Sequence, residues 1–167
     1  NTVTLPRYTD GAGVQAFITP STVMGAATPN ISIGYTNSAS TVGRATPATL
    51  PIGNTAAAVT SIVYSGTGAG KFGPFIPLQA GDAGIKSVQS INLSASYVSG
   101  VLNLVLCKPL LTLPITTLGV TAERDLINQL NSGPRVYDGA CLAWLMLAGA
   151  ATPVASPLSG HLEFGWT

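Results

Sequence analysis

Charge is what this chain has least of. Lys and Arg number seven and Asp and Glu six among 167 residues, 8% of the total with a net charge of +1, against roughly 25% in an ordinary soluble domain. A free-standing domain keeps itself soluble with a mixed, charged surface. With a mean hydropathy of +0.42, this one has to cover itself largely with Ser, Thr, Asn, Gly and Ala. Such a surface loses little hydration on contact, which suits a protein packed against copies of itself or against a larger assembly. The same scarcity argues against nucleic acid as a partner. Phosphate binding needs clustered cations, and Arg7, Arg44, Lys71, Lys86, Lys108, Arg124 and Arg135 are scattered along the chain.

Other absences narrow the chemistry. His161 is the single histidine, whereas catalytic triads and most zinc sites need His with several partners. The acids show one close pair, Glu123 and Asp125, and residues two apart on a helix point in different directions. Neither a carboxylate pair for glycoside hydrolysis nor the alternating Asp and Asn of a calcium loop is marked. Gly66-Thr67-Gly68-Ala69-Gly70-Lys71-Phe72 fails as a phosphate loop: its glycine spacing is short, and Phe72 stands where Ser or Thr would hold magnesium. No enzymatic activity, cofactor or metal is expected. The two cysteines, Cys107 and Cys141, sit in apolar runs and read as free thiols buried in two strands in preference to one disulfide, which leaves the compartment open with a lean toward a reducing site of synthesis. The longest apolar run, over 140–148, is far short of the roughly 20 residues that cross a membrane, so no membrane partner is expected. The opening residues lack the basic stretch and apolar core of a secretory leader.

Gly and Pro, at 19 and 12 residues, punctuate the chain and exclude a helical bundle. Residues 1–12 read as an extended arm, in which Asn1-Thr2-Val3-Thr4-Leu5 alternates before Pro6 and Asp10-Gly11 break it. Strand signals then recur between turn signals. A strand from Val14 should stop at Pro20, and 30–36 alternates with period two. Residues 37–58 read as loop with one short strand. Residues 59–64 read as another strand, and 75–78, carrying Pro77, as an edge strand. Residues 84–94 place apolar side chains at 85, 88, 91 and 93, and the three-residue step predicts a bulge near Gln89-Ser90. With the Ser99-Gly100 turn and the apolar 101–107, they read as a β-hairpin ending in a central strand. One short helix is predicted near 121–131, capped by Thr121, with Glu123 and Asp125 in its first turn and Leu126, Ile127 and Leu130 on one face. Apolar strands are predicted at 140–148 and 162–166. The total is eight to ten strands and one helix: an all-β, jelly-roll-like β-sandwich over 13–167 behind the arm.

Two glycosylation sequons, Asn30-Ile31-Ser32 and Asn92-Leu93-Ser94, fall in predicted strands and read as chance matches in a Ser-rich chain. Tyr8, Tyr35, Tyr64, Tyr97, Tyr137 and Trp166 are candidates for an exposed aromatic face, with core or rim positions as the simpler assignment for each.

Four phrases carry a resemblance. They are Arg7-Tyr8-Thr9-Asp10-Gly11-Ala12-Gly13-Val14-Gln15-Ala16-Phe17, then 73–88 beginning Gly73-Pro74-Phe75-Ile76-Pro77, then Ala122-Glu123-Arg124-Asp125, and Tyr137-Asp138-Gly139-Ala140-Cys141-Leu142. From about residue 7 to the end the chain resembles structural proteins of tailed-bacteriophage heads, in particular capsid decoration (cement) proteins with a jelly-roll-like fold. The resemblance implies a non-enzymatic virion protein made in the host cytoplasm. It would sit on the outer surface of the capsid as a homotrimer and bind the major capsid protein so as to cement neighbouring capsomers. It brings no catalytic residues. The arm is the expected bridging element, with Val3, Leu5 and Tyr8 as apolar anchors beside Arg7. Two other readings stand beside it. A carbohydrate- or receptor-binding module, such as a head fibre or adhesin, would show clustered exposed aromatics. A small jelly-roll capsid subunit would carry a basic arm, for which Arg7 alone is poor.

Overall fold

The computed structural model describes residues 3–47, 50–52, 62, 74–115, 117, 120–124, 135–146 and 160. Among these the protein is mainly β, arranged as two antiparallel sheets. The first sheet has the order β1 (Val3–Thr4), β6 (Ile85–Leu93), β3 (Asn30–Asn37) and β4 (Arg44–Ala45), with β5 (Leu50–Pro51) pairing further along β3. The second joins β2 (Gln15–Thr22) to β7 (Val101–Cys107).

The alternation along β3 does what the sequence predicts. Ile31, Ile33 and Tyr35 turn inward and are buried, and they meet Ala16 and Ile18 of β2, Ile85 and Val88 of β6, and Leu50, Ile52 and Ile76 in one core cluster. Leu102, Leu104 and Leu106 of β7 pack partly buried against it. In the β2–β7 register Ala16 faces Leu106, Ile18 faces Leu104 and Pro20 faces Leu102, so both strands send one face to the same core. β6 bulges where the three-residue step places it: Gly34 pairs Ser90 and Tyr35 pairs Val88, leaving Gln89 as the extra residue. The bulge keeps Val88 inward, level with Tyr35.

Several expectations are corrected. The strand from Val14 does not stop at Pro20. β2 runs on to Thr22 with a register shift between Pro20 and Thr22; a strand that pairs on one side tolerates a residue with no N–H where the ladder is already irregular. Strands β6 and β7 are not a hairpin. The connection over 94–100 crosses between the sheets, and its backbone is held on both. Ser94 N–H donates to Asn30 O (2.9 Å), and Gly25 N–H donates to Ser99 O (2.9 Å). β7 is paired with β2 alone among the described residues, and Val101 is exposed, so its apolar composition does not make it a central strand. Residues 75–78 form no strand; Ile76 N–H makes a single bond to Ala16 O (2.8 Å), and Pro77 can donate none. Among the described residues of 37–58 there are two short strands, β4 and β5, rather than one.

No helix is seen among the described residues. Residues 121–124, the expected first turn, are not helical; a cap and two acids are each worth only about 1 kcal/mol, too little to set a helix without packing. Residues 125–131 lie outside the described set, as do 59–61, 63–64, the glycine loop at 66–72, His161 and 162–166. Residues 140–146 are not a strand, and Cys141 is an exposed free thiol, whereas Cys107 is half-buried in β7. An unbroken apolar run reports low polarity only and does not distinguish a buried strand from a contact surface. The sequons do fall on strands: Asn30 opens β3, and Asn92 is exposed on β6.

Candidate functional site

Two constructions stand out: a polar knot beneath the β3–β4 hairpin, and a cleft where the arm meets 135–139. The knot is built on Asp82, whose side chain is 2% exposed. The turn from Gln79, closed by Asp82 N–H to Gln79 O (3.0 Å) with Gly81 at φ +86°, aims the carboxylate at β3 and β4. Tyr35 and Arg44 are cross-strand partners and both reach it. Tyr35 Oη–H donates to Oδ2 (2.5 Å), Arg44 Nε–H donates to Oδ2 (3.0 Å), and Asn37 Nδ2–H donates to Oδ1 (2.7 Å). The Tyr35 hydroxyl also accepts from Gln79 N–H (2.9 Å). These donors, the Arg44 guanidinium first and then the Tyr35 hydroxyl, hold the Asp82 carboxyl down at about 2. Burial, reinforced by the Asp82 carboxylate, pushes the Tyr35 phenol up to about 12. Every buried side-chain polar atom among the described residues has a partner, so the knot is satisfied. It closes the sheet end and offers no free group for chemistry.

The second construction starts from the arm. Val3 pairs Val88 and Thr4 pairs Ser87, so the arm lies on the outer edge of its own sheet, and Leu5 packs partly buried against the core. Pro6 then turns the chain away, and Tyr8 takes φ +51°, a left-handed conformation costing a non-glycine residue about 1 kcal/mol or more. Gly11 N–H to Tyr8 O (2.7 Å) closes the turn. In that position Arg7 and Tyr8 reach the far end of the chain. Arg7 donates from Nε to Asp138 O (3.1 Å) and from Nη2 to Gly139 O (2.6 Å), and Tyr8 Oη–H donates to Arg135 O (2.5 Å). Gly139, at φ +66°, makes room: a Cβ there would lie 3.0 Å from Arg7 Nη2.

The rings complete the arrangement. Tyr8 meets Tyr137 edge to face with centroids 4.9 Å apart. Lys108 Nζ lies 4.3 Å from the Tyr8 centroid and the Arg135 guanidinium 4.9 Å from the Tyr137 centroid. An open cleft of about 410 Å³ is lined by Pro6, Arg7, Arg135, Val136, Tyr137 and Asp138. The ion pair between Arg44 and Asp82 is the only one among the described residues, so Arg7, Lys108 and Arg135 stand without a carboxylate partner there. Next to the cleft the chain stays on the surface: Leu142, Trp144, Leu145 and Met146 are all exposed, Trp144 at 68%.

Of the four arm residues expected at an interface, Arg7 and Tyr8 reach the cleft, Leu5 is spent on the core, and Val3 lies in the sheet ladder. Among the aromatic candidates Tyr35 is fully buried, Tyr8 and Tyr97 are half-buried and Tyr137 is exposed; Tyr64 and Trp166 lie outside the described residues. Lys108, Arg135 and Trp144 were not legible as site residues. A signal exists in retrospect: in Arg7-Tyr8, and in Arg135-Val136-Tyr137 near the other end of the chain, a cation sits beside a tyrosine. Among the described residues no three His, Cys, Asp or Glu side chains are placed to share a metal ion. Comparison with known protein families, curated proteins and solved structures gives no match.

Proposed function

We propose that this chain is a non-enzymatic structural protein of a virion: a decoration protein on the outer surface of a phage capsid that cements neighbouring capsomers, built as a jelly-roll-like β-sandwich. The observation that carries this reading is the exposed apolar strip over 141–146, which follows the 135–139 segment held by the arm, in a chain with only 8% charged residues. Contiguous exposed apolar surface marks a place where another macromolecule docks. Many weak contacts of this kind, summed over a symmetric lattice, give tight attachment. In the free chain the arm lies on its own β6. In the assembly the same segment would add a strand to a neighbour's sheet edge, either on the major capsid protein or on another copy within a homotrimer.

The test is the mass of the purified protein in solution, followed by co-sedimentation with undecorated phage heads. Saturable binding at a copy number compatible with capsid symmetry is expected. A stable monomer that stays in the supernatant ends the proposal. A second reading, a carbohydrate- or receptor-binding module, draws support from Tyr137 and Trp144, both exposed, with the Arg135 guanidinium over the Tyr137 ring. Selective binding on a glycan array, without binding to heads, would put it in first place.

A further inference from the structure

We propose that the Tyr8–Tyr137 cleft and the strip beside it form one docking surface for an acidic segment of a protein partner, with carboxylates facing Arg7, Lys108 and Arg135 and neighbouring apolar side chains on Leu142 and Trp144. This rests on the assembly reading and names the chemistry of its partner. In a chain with seven cations, Lys108 and Arg135 rest over one pair of tyrosine rings and Arg7 bonds the carbonyls of the adjoining 138–139, with no carboxylate in ion-pair range of the three among the described residues. Arg44 is neutralised by Asp82, and Lys86 is turned to the Ser40 hydroxyl (2.8 Å). Of the remaining cations, Arg124 is exposed and Lys71 lies outside the described residues; Arg7, Lys108 and Arg135 are the three that the structure brings to one turn and its two rings.

The cations are also held in position. Arg7 is fixed by two backbone carbonyls, and Lys108 and Arg135 rest over rings. A partner's carboxylate would thus meet charges whose ordering cost is already met. Asp138 is the single acid in the lining, so the balance stays positive. The adjoining strip selects the class of partner. Three cations are far fewer than the six to ten phosphate contacts typical of a nucleic-acid binder. Leu142, Leu145 and Met146 would gain nothing against a hydrated polysaccharide, whereas an acidic peptide with flanking leucines complements both halves.

The probe is the peptide acetyl-Glu-Glu-Leu-Leu-Glu-Glu-amide, titrated into the full chain and followed by backbone amide shifts. Its Gln-for-Glu counterpart and heparin serve as comparisons. The acidic peptide should move the amides of 135–146, and its affinity should fall as salt is raised. Exposed ion pairs contribute modestly, so Lys108→Glu with Arg135→Glu should weaken it about fivefold to tenfold. Equal binding of the acidic and neutral peptides, no effect of the double substitution, or stronger binding of heparin at the same amides would each overturn the proposal. Head binding separates this from the assembly reading. Heads bound equally well by the doubly substituted chain would remove the cleft and keep the assembly. Peptide bound at 135–146 by a chain that ignores heads would keep the cleft and remove the assembly.

Discussion

Asp82 gathers donors from three side chains on two strands, and its charge state is a lever on the whole fold. Its carboxyl stands at about 2 in the folded chain, against about 4 when unfolded. The stability it contributes is present above about pH 4 and is lost as pH falls through about 2. Tyr35 works from the other side. Its phenol is raised to about 12 from about 10, so its contribution is complete below about pH 10 and is lost as pH rises through about 12. Urea midpoints measured across pH should therefore hold a plateau near neutrality and fall at both ends. Asp82→Asn should lower the plateau and flatten the acid limb; an unchanged acid limb would mean that other carboxylates govern it. Gly84 is a second sensitive residue. A Cβ there would run into the backbone of Gly11 and Gly13, where Gly13 N–H to Ala83 O (3.0 Å) and Ile85 N–H to Val14 O (3.0 Å) tie the start of β2 to the start of β6. Gly84→Ala should cost more than about 2 kcal/mol in chemical denaturation, because backbone rather than a mobile side chain must yield.

Among the elements, the arm behaves as a clamp on the far end of the chain. Its paired part is two residues long, which alone would hold little. Arg7 and Tyr8 supply three further hydrogen bonds to 135–139, each worth about 1 kcal/mol net. Arg7→Ala should therefore raise amide hydrogen exchange over 135–140 while leaving β3 and β6 as protected as before. Equal loosening of those strands would show that Arg7 supports the whole fold rather than the clamp. The strands show what local pattern can and cannot say. The alternation of Ile31, Ile33 and Tyr35 identified β3 and its inward face, and the step from Val88 to Ile91 located the β6 bulge. Both are properties of side-chain spacing, which a pleated strand converts directly into a face. Partner choice is not local. Nothing in 84–107 reveals that β6 joins β3 while β7 joins β2, because that depends on where 94–100 is anchored, on Asn30 and Gly25.

For the whole molecule, the shortage of charge becomes a prediction about association. The part of any contact with copies or with a shell that runs through the 141–146 strip is driven by apolar burial, which moderate salt does not screen, so added salt should weaken only the share carried by Arg7, Lys108 and Arg135. Trp144, exposed as it is, should be dispensable for folding and important for docking. Trp144→Ser should leave the thermal midpoint within about 2 °C of the parent, as expected of surface substitutions. It should also lower self-association or shell binding measured by sedimentation. A large drop in the midpoint would instead mean that the tryptophan covers the fold's own core.

By itself the sequence determined the class of molecule: a mainly β chain with few charges, one inward face on β3 and a bulge in β6. All of these follow from composition and from spacing over a few residues, which short-range sterics and burial translate without reference to the rest of the chain. Only the tertiary structure decided that Pro20 lies within a strand, that β6 and β7 belong to different sheets, and that Cys141–Met146 lies on the surface rather than in the core. It also brought Asp82 to Tyr35 and Arg44, and Arg7 and Tyr8 to Arg135 and Gly139. Those pairs are separated by 38 to 132 residues, and contacts at that range are set by how two sheets close over one core, which no local pattern encodes.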